Sequence, residues 1–264
     1  MPVRIGFSAN LTKPEAGEVL SRLVEEAKRQ GVETVSVASP EALLTCEKPD
    51  LLAVAGGDGS ILRYAAAAAK RQIPILGVNL GRVGFLAEVM PEAFPEALRR
   101  FIAGEYTTVH RHMLKARING GEPFLCLNDV TIFKGSFGGV TQLDITVDHH
   151  VMGRVFCDGM VVSTPTGSTA YNLSAGGSVL MGEPDVLAIT AVCPHSLHVR
   201  PVVAPSGSII TMETLDTAVV TADGVRVGEL GPSDRVTVTG ADRACDFIRF
   251  EETDLFRLLR EKLT

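Results

Sequence analysis

Apolar positions in the first part of the chain follow two spacings, one typical of buried strands and one typical of amphipathic helices. Strands are predicted from short apolar runs at 3–8, 34–37, 51–55 and 75–78. Helices are predicted between them, around 20–27, 60–71 and 91–104. Strands that alternate with helices in this way form an open, doubly wound parallel sheet, whose ligands bind beyond the carboxyl ends of its strands.

From about Tyr106 the pattern changes to short β-rich runs separated by turn residues. Strands are predicted at 113–118, 123–127, 160–162, 187–192, 209–212, 218–221 and 235–239. Hairpin turns are expected at 119–121 and 148–150, and one helical interruption near 167–174. The predicted fold class is therefore α/β plus all-β. An α/β domain is expected over 1–105 and an all-β domain over 106–251, with a helix at about 252–264 packing back on the first domain.

Composition narrows the classes of protein that this chain can represent. It has 264 residues and a formal net charge of -6, which argues against a protein that coats nucleic acid or acidic lipid. No uninterrupted apolar run approaches the roughly 20 residues of a membrane span, and the first ten residues lack the pattern of a secretion signal. Five scattered cysteines without a Cys-x-x-Cys pair favour reduced thiols in the cytoplasm: Cys46, Cys126, Cys157, Cys193 and Cys245.

The most informative segment is the sequence GGDGS at 56–60, between a predicted strand and a predicted helix. A glycine-rich turn at a helix N-terminus offers backbone N–H groups and a positive dipole end, which together favour an anion such as phosphate. Asp58 would repel phosphate unless it holds a cation or accepts a proton from an attacking hydroxyl. Because both are phosphoryl-transfer roles, the segment indicates a kinase.

A simpler interpretation is that Asp58 only caps the helix of an ordinary strand-to-helix turn. The glycines favour the kinase interpretation, since glycine costs conformational entropy and suits close approach of the backbone to a ligand. Neither a Walker-A sequence nor a strict G-x-G-x-x-G occurs after a strand, so the common nucleotide-binding motifs are not supported. The six histidines show no metal-ligand spacing, so no protein-held metal is expected.

Two later segments carry further candidate binding residues. Asn128 and Asp129 follow a predicted strand, and both could meet a ligand only at a strand end or bulge, while the alternative is a polar turn. Asp158 leads a short apolar strand into the run 163–177, which is rich in hydroxyls and glycine. Such short donors and acceptors suit ribose, amide and base edges, although they could also serve only as caps and turns.

The chain resembles the NAD kinase family in segments that follow the family's order over nearly its whole length. These are GGDGS at 56–60, NLGRVGFL at 79–86, LND at 127–129, DGMVVSTPTGSTAYNLSAGG at 158–177 and PHSLHVRPVV at 194–203. The first segment is shared with diacylglycerol-kinase-like and phosphofructokinase-like enzymes, whereas STPTGSTAY is highly specific. The resemblance implies an N-terminal Rossmann-like domain and a C-terminal NAD-binding β-sandwich domain.

The resemblance implies transfer of the terminal phosphoryl group of ATP, or of polyphosphate, to the 2′-hydroxyl of the adenosine ribose of NAD, giving NADP. Asp58 would be the general base, and Gly57 and Gly59 would admit the nucleotide to the backbone. Asn128 and Asp129 would bind ribose hydroxyls. Asp158 would lie near the nicotinamide, and a run enclosing nicotinamide and adenine, with Tyr171 as a stacking face, would comprise Thr169, Ala170, Tyr171, Asn172, Leu173 and Ser174.

Some positions depart from the family pattern. Phe156 stands where relatives often carry a basic residue, and Arg154 is a candidate to supply that charge from a neighbouring turn. Val225 replaces a glutamine common after the Asp-Gly pair, which puts an adenine contact in doubt. Arg63, one helical turn beyond Asp58, is a phosphate-binding candidate, with an exposed helix cation as the alternative.

The partners expected from these observations are NAD and ATP or polyphosphate, with Mg²⁺ entering alongside ATP to neutralise the phosphates. The resemblance further suggests a homodimer or homotetramer. Two other functions remain open: a lipid kinase that shares the GGDG turn, and a non-catalytic NAD(P) sensor. The net charge of -6 argues against the membrane surface that a lipid kinase needs, and retention of Asp58 argues against a sensor.

Overall fold

The computed structural model describes residues 2–12, 15–81, 84–135, 139–251 and 254–263. The chain divides into two compact units: a first unit of Met1–His110 with Cys245–Thr264, and a second unit of Arg111–Ala244. The C-terminal helix belongs to the first unit. Among the described helices, none is both long and apolar enough to cross a lipid bilayer.

Helices and strands are numbered in chain order. The helices are α1 (Ala16–Arg29), α2 (Pro40–Thr45), α3 (Asp58–Arg71), α4 (Phe94–Ile102), α5 (Tyr171–Ser174) and α6 (Leu255–Leu263). The strands are β1 (Arg4–Ala9), β2 (Glu33–Ser36), β3 (Leu51–Gly56), β4 (Ile75–Asn79), β5 (Thr107–Ile118), β6 (Phe124–Cys126), β7 (Asp129–Lys134), β8 (Thr141–Val147), β9 (His150–Cys157), β10 (Gly159–Ser163), β11 (Val186–Val192), β12 (Val202–Pro205), β13 (Ile210–Thr214), β14 (Ala218–Ala222), β15 (Val225–Leu230) and β16 (Arg235–Arg249).

The first unit is a Rossmann-like α/β structure whose parallel strands run in the order β2-β1-β3-β4. Every residue of β3 and β4 is buried, as expected for a parallel strand covered on both faces. The helix α3 packs an alanine-rich face inward, with Ala65, Ala67, Ala68 and Ala69 buried. This packing places the 56–60 turn at the carboxyl end of β3, where ligands of open α/β sheets bind.

The second unit is a β-sandwich. One of its sheets is antiparallel and has the strand order β12-β11-β10-β7-β14-β15. The facing sheet includes β8, β9, β13 and residues of β16, also antiparallel. One apolar cluster draws fully buried residues from both sheets, among them Val130, Leu143, Leu187 and Ile210. The predicted fold class is thus confirmed.

Several predicted local features are present, and the differences have local causes. The hairpin at 119–121 joins β5 to β6, and Asp148 and His149 adopt positive φ between β8 and β9. The predicted helix at 91–104 begins with a 3₁₀ turn over Pro91–Ala93. The sequence pattern missed α2, β7, β12 and β15, which are short elements of four to six residues. Short elements carry too few apolar positions to establish a period.

Candidate active site

Asp58 is the first residue of α3, and the residue that caps this helix is Gly57, without a side-chain hydrogen bond. The Asp58 carboxylate is directed elsewhere: its Oδ2 accepts the backbone N–H of Phe85 at 2.9 Å, and its Oδ1 accepts that of Leu86 at 3.0 Å. The interpretation of Asp58 as a simple helix cap is therefore wrong. Its side chain is oriented by a second segment of the chain, 27 and 28 residues away.

That second segment is itself held by a buried arginine. The Arg249 guanidinium, on a residue only 4% exposed, donates to the carbonyl of Phe85 at 3.1 Å and forms an ion pair with Glu88. Glu88 also accepts the backbone N–H of Phe250 at 3.1 Å. Because a buried charge without partners is costly, these contacts hold the backbone at 85–88 in place. The same backbone orients Asp58.

Two more residues approach the Asp58 carboxylate. A Cβ atom at Gly84 would overlap Asp58 Oδ1, so glycine is needed there. Lys262 of α6 places its Nζ 3.3 Å from Asp58 Oδ2 and 4.7 Å from the centroid of the Phe85 ring. A carboxylate offers about four acceptor positions. With the three donors that the described residues supply, Oδ1 keeps one position for a ligand hydroxyl.

The glycines of the turn have different local surroundings. A Cβ atom at Gly56 would overlap the side chain of Ser60, so this glycine is required by the fold. At Gly57 and Gly59 a Cβ atom would have no atom of the described residues within 4 Å, and neither residue has positive φ. Since neither packing nor backbone conformation requires glycine at these two positions, close approach of a ligand is the physical reason left for it.

Alanine substitutions should separate these two kinds of glycine. Gly56→Ala is expected to lower the free energy of unfolding by about 1–3 kcal/mol, because the added methyl overlaps Ser60. Gly57→Ala should keep the stability and weaken nucleotide binding about tenfold by narrowing the open space. Urea unfolding and calorimetric titration of both variants measure the two effects. Unchanged binding in Gly57→Ala would contradict the assignment.

Arg63 is exposed on α3, and it lines a cavity of about 110 Å³ beside the turn. The lining residues are Ala9, Asn10, Val54, Gly59, Ser60, Arg63 and Tyr64. The cavity thus joins the carboxyl end of β1 to the first turns of α3. A guanidinium at such an opening suits a phosphate, and its exposure also fits a solvated helix cation.

In the second unit, Asn128 precedes β7 and Asp129 is the first residue of that strand. The carboxylate of Asp223 accepts the backbone N–H groups of Leu127 at 2.8 Å, Asn128 at 2.6 Å and Asp129 at 3.3 Å. Asp223 and Gly224 both have positive φ in the turn between β14 and β15. That turn therefore holds the backbone of 127–129 from one side.

The hydroxyl-rich segment supports the same backbone from another side. The Thr164 hydroxyl donates to the carbonyl of Leu127 at 2.6 Å and accepts the N–H of Gly167 at 3.0 Å. Gly167 lies so close to the Asn128 backbone that a Cβ atom would overlap the Asn128 carbonyl. Ser168 donates to the carbonyl of Pro165 at 2.6 Å. The hydroxyls of Thr164 and Ser168 therefore stabilise turns. For this part of the run, the structural alternative to ligand binding applies.

Asn172 differs from its expected role as a ligand-binding side chain. It is fully buried, and its amide donates to the carbonyls of Ser168 at 3.1 Å and Ser178 at 3.0 Å. Its Oδ1 accepts the hydroxyl of Thr190 at 2.7 Å. A Cβ atom at Gly177 would overlap the Asn172 amide. With both amide hydrogens used inside the protein, this side chain shapes the 168–178 turn rather than facing a ligand.

Tyr171 is half-buried, with its ring 5.4 Å from that of Phe133. Burial raises the pKa of Tyr171, and Cys193 and the carboxylates of Asp158 and Asp129 raise it further. Asp158 lies between β9 and β10 and accepts Lys134 Nζ at 2.7 Å. The remaining candidates of this run are half-buried or exposed: Thr169, Ala170, Leu173 and Ser174.

The buried Asp129 should make stability depend on pH. Burial, and then the charge of Asp223, raises its pKa from 3.8 to about 6, although a hydrogen bond from Thr131 opposes this. An acid whose pKa rises on folding contributes stability that is full below its unfolded pKa and lost as pH rises through the folded value. The free energy of unfolding should therefore fall between about pH 4 and about pH 7, and it should fall less in Asp129→Asn.

Urea unfolding at both pH values measures this decline. Asp144→Asn is the matched control, because its ion pair with Arg154 lowers the pKa of Asp144 and places its titration below this range. The decline in Asp144→Asn should equal that of the unmodified protein. An equal decline in Asp129→Asn would show that Asp129 is not the buried group that titrates.

The structure places Arg154 within β9 rather than in a turn, and its guanidinium makes two 2.7 Å hydrogen bonds to Asp144. The Arg154 guanidinium is thus paired with Asp144, although it was expected to supply the positive charge that relatives often carry at the position of Phe156. Phe156 and Val225 are 43% and 65% exposed. In the NLGRVGFL segment, Arg82 and Val83 lie outside the described residues.

Sequence reasoning missed four side chains of these sites: Arg249, Lys262, Lys134 and Asp223. Arg249 and Lys262 act on residues 161 to 204 positions away, and no periodic pattern reports such a contact. Lys134 ends an ordinary strand. Asp223 did have a signal, since an Asp-Gly pair between two strands indicates a hairpin turn.

An oriented carboxylate at the carboxyl end of a parallel strand, in a Rossmann-like unit, fits a nucleotide phosphotransferase. Family models agree: residues 34–106 match the ATP-NAD kinase N-terminal domain, and residues 127–250 match the ATP-NAD kinase C-terminal domain. The chain belongs to the NAD kinase family.

Individual relatives extend this result to nearly the whole chain. It is 39% identical over 277 residues to an NAD kinase of Heliobacterium modesticaldum, covering 98% of each protein. It is 38% identical over 224 residues to an NAD kinase of Carboxydothermus hydrogenoformans, covering 82% of this chain and 80% of that one.

Solved structures show the same fold. An NAD kinase from Archaeoglobus fulgidus in complex with ATP has a TM-score of 0.84 at 26% identity, covering 98% of this chain and 99% of that one. Yeast NADH kinase complexed with NADH has a TM-score of 0.91 at 22% identity, covering 99% of this chain and 87% of that one. At 22% identity, the similarity to the yeast enzyme supports the fold alone.

Proposed function

We propose that this protein transfers the terminal phosphoryl group of ATP to the 2′-hydroxyl of the adenosine ribose of NAD, giving NADP. The observation that carries the proposal is the Asp58 carboxylate, oriented by the N–H groups of Phe85 and Leu86 at the carboxyl end of the parallel sheet. Membership of the NAD kinase family supports the choice of substrate.

In the proposed mechanism, Asp58 is the general base. Its Oδ1 accepts one backbone N–H and has an acceptor position left for the 2′-hydroxyl, from which it takes the proton as the oxygen attacks phosphorus. The two N–H bonds prevent rotation of the carboxylate, so the accepting lone pair keeps its direction. Gly57 and Gly59 leave space for the nucleotide beside this group.

Residues of the second unit are proposed to bind the acceptor. Asn128 and Asp129 bind the ribose hydroxyls, supported by the three N–H bonds that anchor this backbone to Asp223. Asp158 lies near the nicotinamide and Tyr171 offers its half-buried ring for stacking. Thr169, Ala170, Leu173 and Ser174 complete the surface, while Asn172 supports it from within the core.

Mg²⁺ is proposed to enter with ATP. The described residues contain no group of three or more His, Cys, Asp or Glu side chains that could hold a metal ion together. Mg²⁺ often binds through substrate phosphates with few protein ligands, which such a site permits. The bound ion would neutralise phosphate charge, and Arg63 at the cavity beside α3 is proposed to add a positive charge on the protein side.

A cytoplasmic homodimer or homotetramer is also proposed. All five cysteines are free thiols, as expected in a reducing compartment. Exposed large apolar side chains of the second unit support self-association: Val151, Phe156, Val202, Val203, Val225 and Val227. Light scattering coupled to size-exclusion chromatography would determine the oligomeric state.

The decisive experiment supplies purified protein with NAD, Mg²⁺ and either ATP or polyphosphate, and detects NADP with an NADP-specific dehydrogenase. NADP formation is expected, and its absence with every donor would overturn the proposal. Parallel reactions contain NADH or vesicles with diacylglycerol. Phosphorylated lipid would indicate the lipid-kinase alternative, and tight NAD binding without any product would indicate a sensor.

A further inference from the structure

A lysine of the C-terminal helix lies at the carboxylate to which the proposed function assigns the proton transfer. Lys262 Nζ is 3.3 Å from Asp58 Oδ2 and 4.7 Å from the centroid of the Phe85 ring. Two different attractions, an ion pair and a cation–π contact, therefore hold the same ammonium group. Phe85 takes part twice: its ring contacts the ammonium group, and its backbone N–H donates to Asp58 Oδ2, the oxygen that the ammonium group approaches.

The ammonium group also has capacity for a further ligand. Lysine has three N–H donors, and the hydrogen bonds of the described residues use one of them, for Asp58. The Lys262 side chain is 34% exposed and that of Asp58 is 24% exposed, so both groups are reached from solvent. A flexible stem lets an unused N–H donor of the lysine reach an incoming oxygen while the ammonium group stays beside the carboxylate, without movement of α6.

Negative charges come together beside Asp58 when the phosphoryl donor binds in the proposed reaction. Asp58 brings one negative charge, and the terminal phosphate of the donor must come close to the hydroxyl that Asp58 activates. A cation that bridges these groups offsets their repulsion. We propose that Lys262 is a phosphate-binding residue of the kinase site, which contacts the terminal phosphate of the donor while it remains beside Asp58.

This inference rests on the proposed function and is tested with Lys262→Met, which keeps the length of the stem and removes the charge. The apparent affinity for the ATP–Mg²⁺ complex should fall about tenfold, the size of one lost charge-assisted contact. Affinity for NAD should be unchanged. Lys262→Arg should recover much of the loss, since it restores a cation.

Arg257→Met is the matched control, because it removes one positive charge from the same helix. Arg257 pairs with Glu261 within α6 at 2.9 Å and is not part of the site. Its donor affinity should equal that of the unmodified protein, and circular dichroism should show that all three variants are folded. A general effect of helix charge would appear in Arg257→Met as well.

Calorimetric binding of a non-hydrolysable ATP analogue with Mg²⁺, measured beside steady-state kinetics, separates the two proposals. An active unmodified enzyme with equal donor affinity in Lys262→Met would overturn the role of Lys262 and leave the kinase function standing. An unmodified protein that makes no NADP but loses analogue affinity in Lys262→Met would overturn the function and keep the phosphate contact. If the unmodified protein neither binds the analogue nor forms NADP, both proposals are overturned.

Discussion

Replacing Asp58 with asparagine is expected to lower kcat for NAD phosphorylation by about 10²–10⁴-fold, the usual contribution of a general base. An amide cannot take the proton of the 2′-hydroxyl. Its NH₂ group would also face a backbone N–H, since Phe85 and Leu86 each donate to one carboxylate oxygen, at 2.9 and 3.0 Å. NAD binding should remain measurable by calorimetry, because the proposed ribose contacts of Asn128 and Asp129 are kept.

The matched control is Asp242→Asn, an identical chemical change at a side chain that is 87% exposed and pairs with Lys115. Its kcat should equal that of the unmodified protein. Activity of Asp58→Asn equal to this control would remove Asp58 from the base role and would show that its charge does not contribute to turnover.

Gly84→Ala is expected to lower kcat by about 10–100-fold without altering the chemistry of any side chain. The new methyl would occupy the position of Asp58 Oδ1, so the carboxylate must rotate away and lose its alignment with the hydroxyl. The rotation breaks hydrogen bonds from Phe85 and Leu86, which should lower the free energy of unfolding by about 1–2 kcal/mol. Steady-state kinetics and urea unfolding report the two quantities separately.

Gly17→Ala is the control for this variant. Gly17 lies in α1, and no atom of the part of the chain that the structure describes is within 4 Å of its Cβ position, so alanine should raise stability by up to about 1 kcal/mol and leave kcat unchanged. The Asp58→Asn and Gly84→Ala changes should also be non-additive. Gly84→Ala should cost little further rate in the Asp58→Asn background, whereas full additivity would mean that it acts through something other than Asp58.

The predicted elements show which features follow from local pattern. The strand at 51–55 and the helix at 60–71 were found within one to two residues of β3 and α3, because a continuous apolar run and an alanine-rich face are visible in any short window. The hairpin at 119–121 was found through its turn residues. In contrast, β16 was predicted over 235–239 and extends to Arg249, since alternation weakens near Gly240 while pairing continues.

The candidate site residues also divide into those that local sequence pattern identified and those whose side-chain direction it did not predict. Asp58 and the pair Asn128 and Asp129 stood out because their residue types sit at predicted strand ends. Asn172 looked equally suitable, yet its side chain is buried with its amide bonded inside the protein. Residue type and spacing report which chemistry is available, whereas side-chain direction depends on packing partners from other segments.

The amino-acid sequence was sufficient for the fold class, the family and the acid at the strand end, because these depend on composition, short-range periodicity and adjacent motif residues. The tertiary structure was needed for the contacts that orient this acid: the N–H groups of Phe85 and Leu86, the buried Arg249 behind them and the Lys262 ammonium. Lys262 and Asp58 are 204 residues apart, and folding of the chain is what brings such distant residues within hydrogen-bond distance.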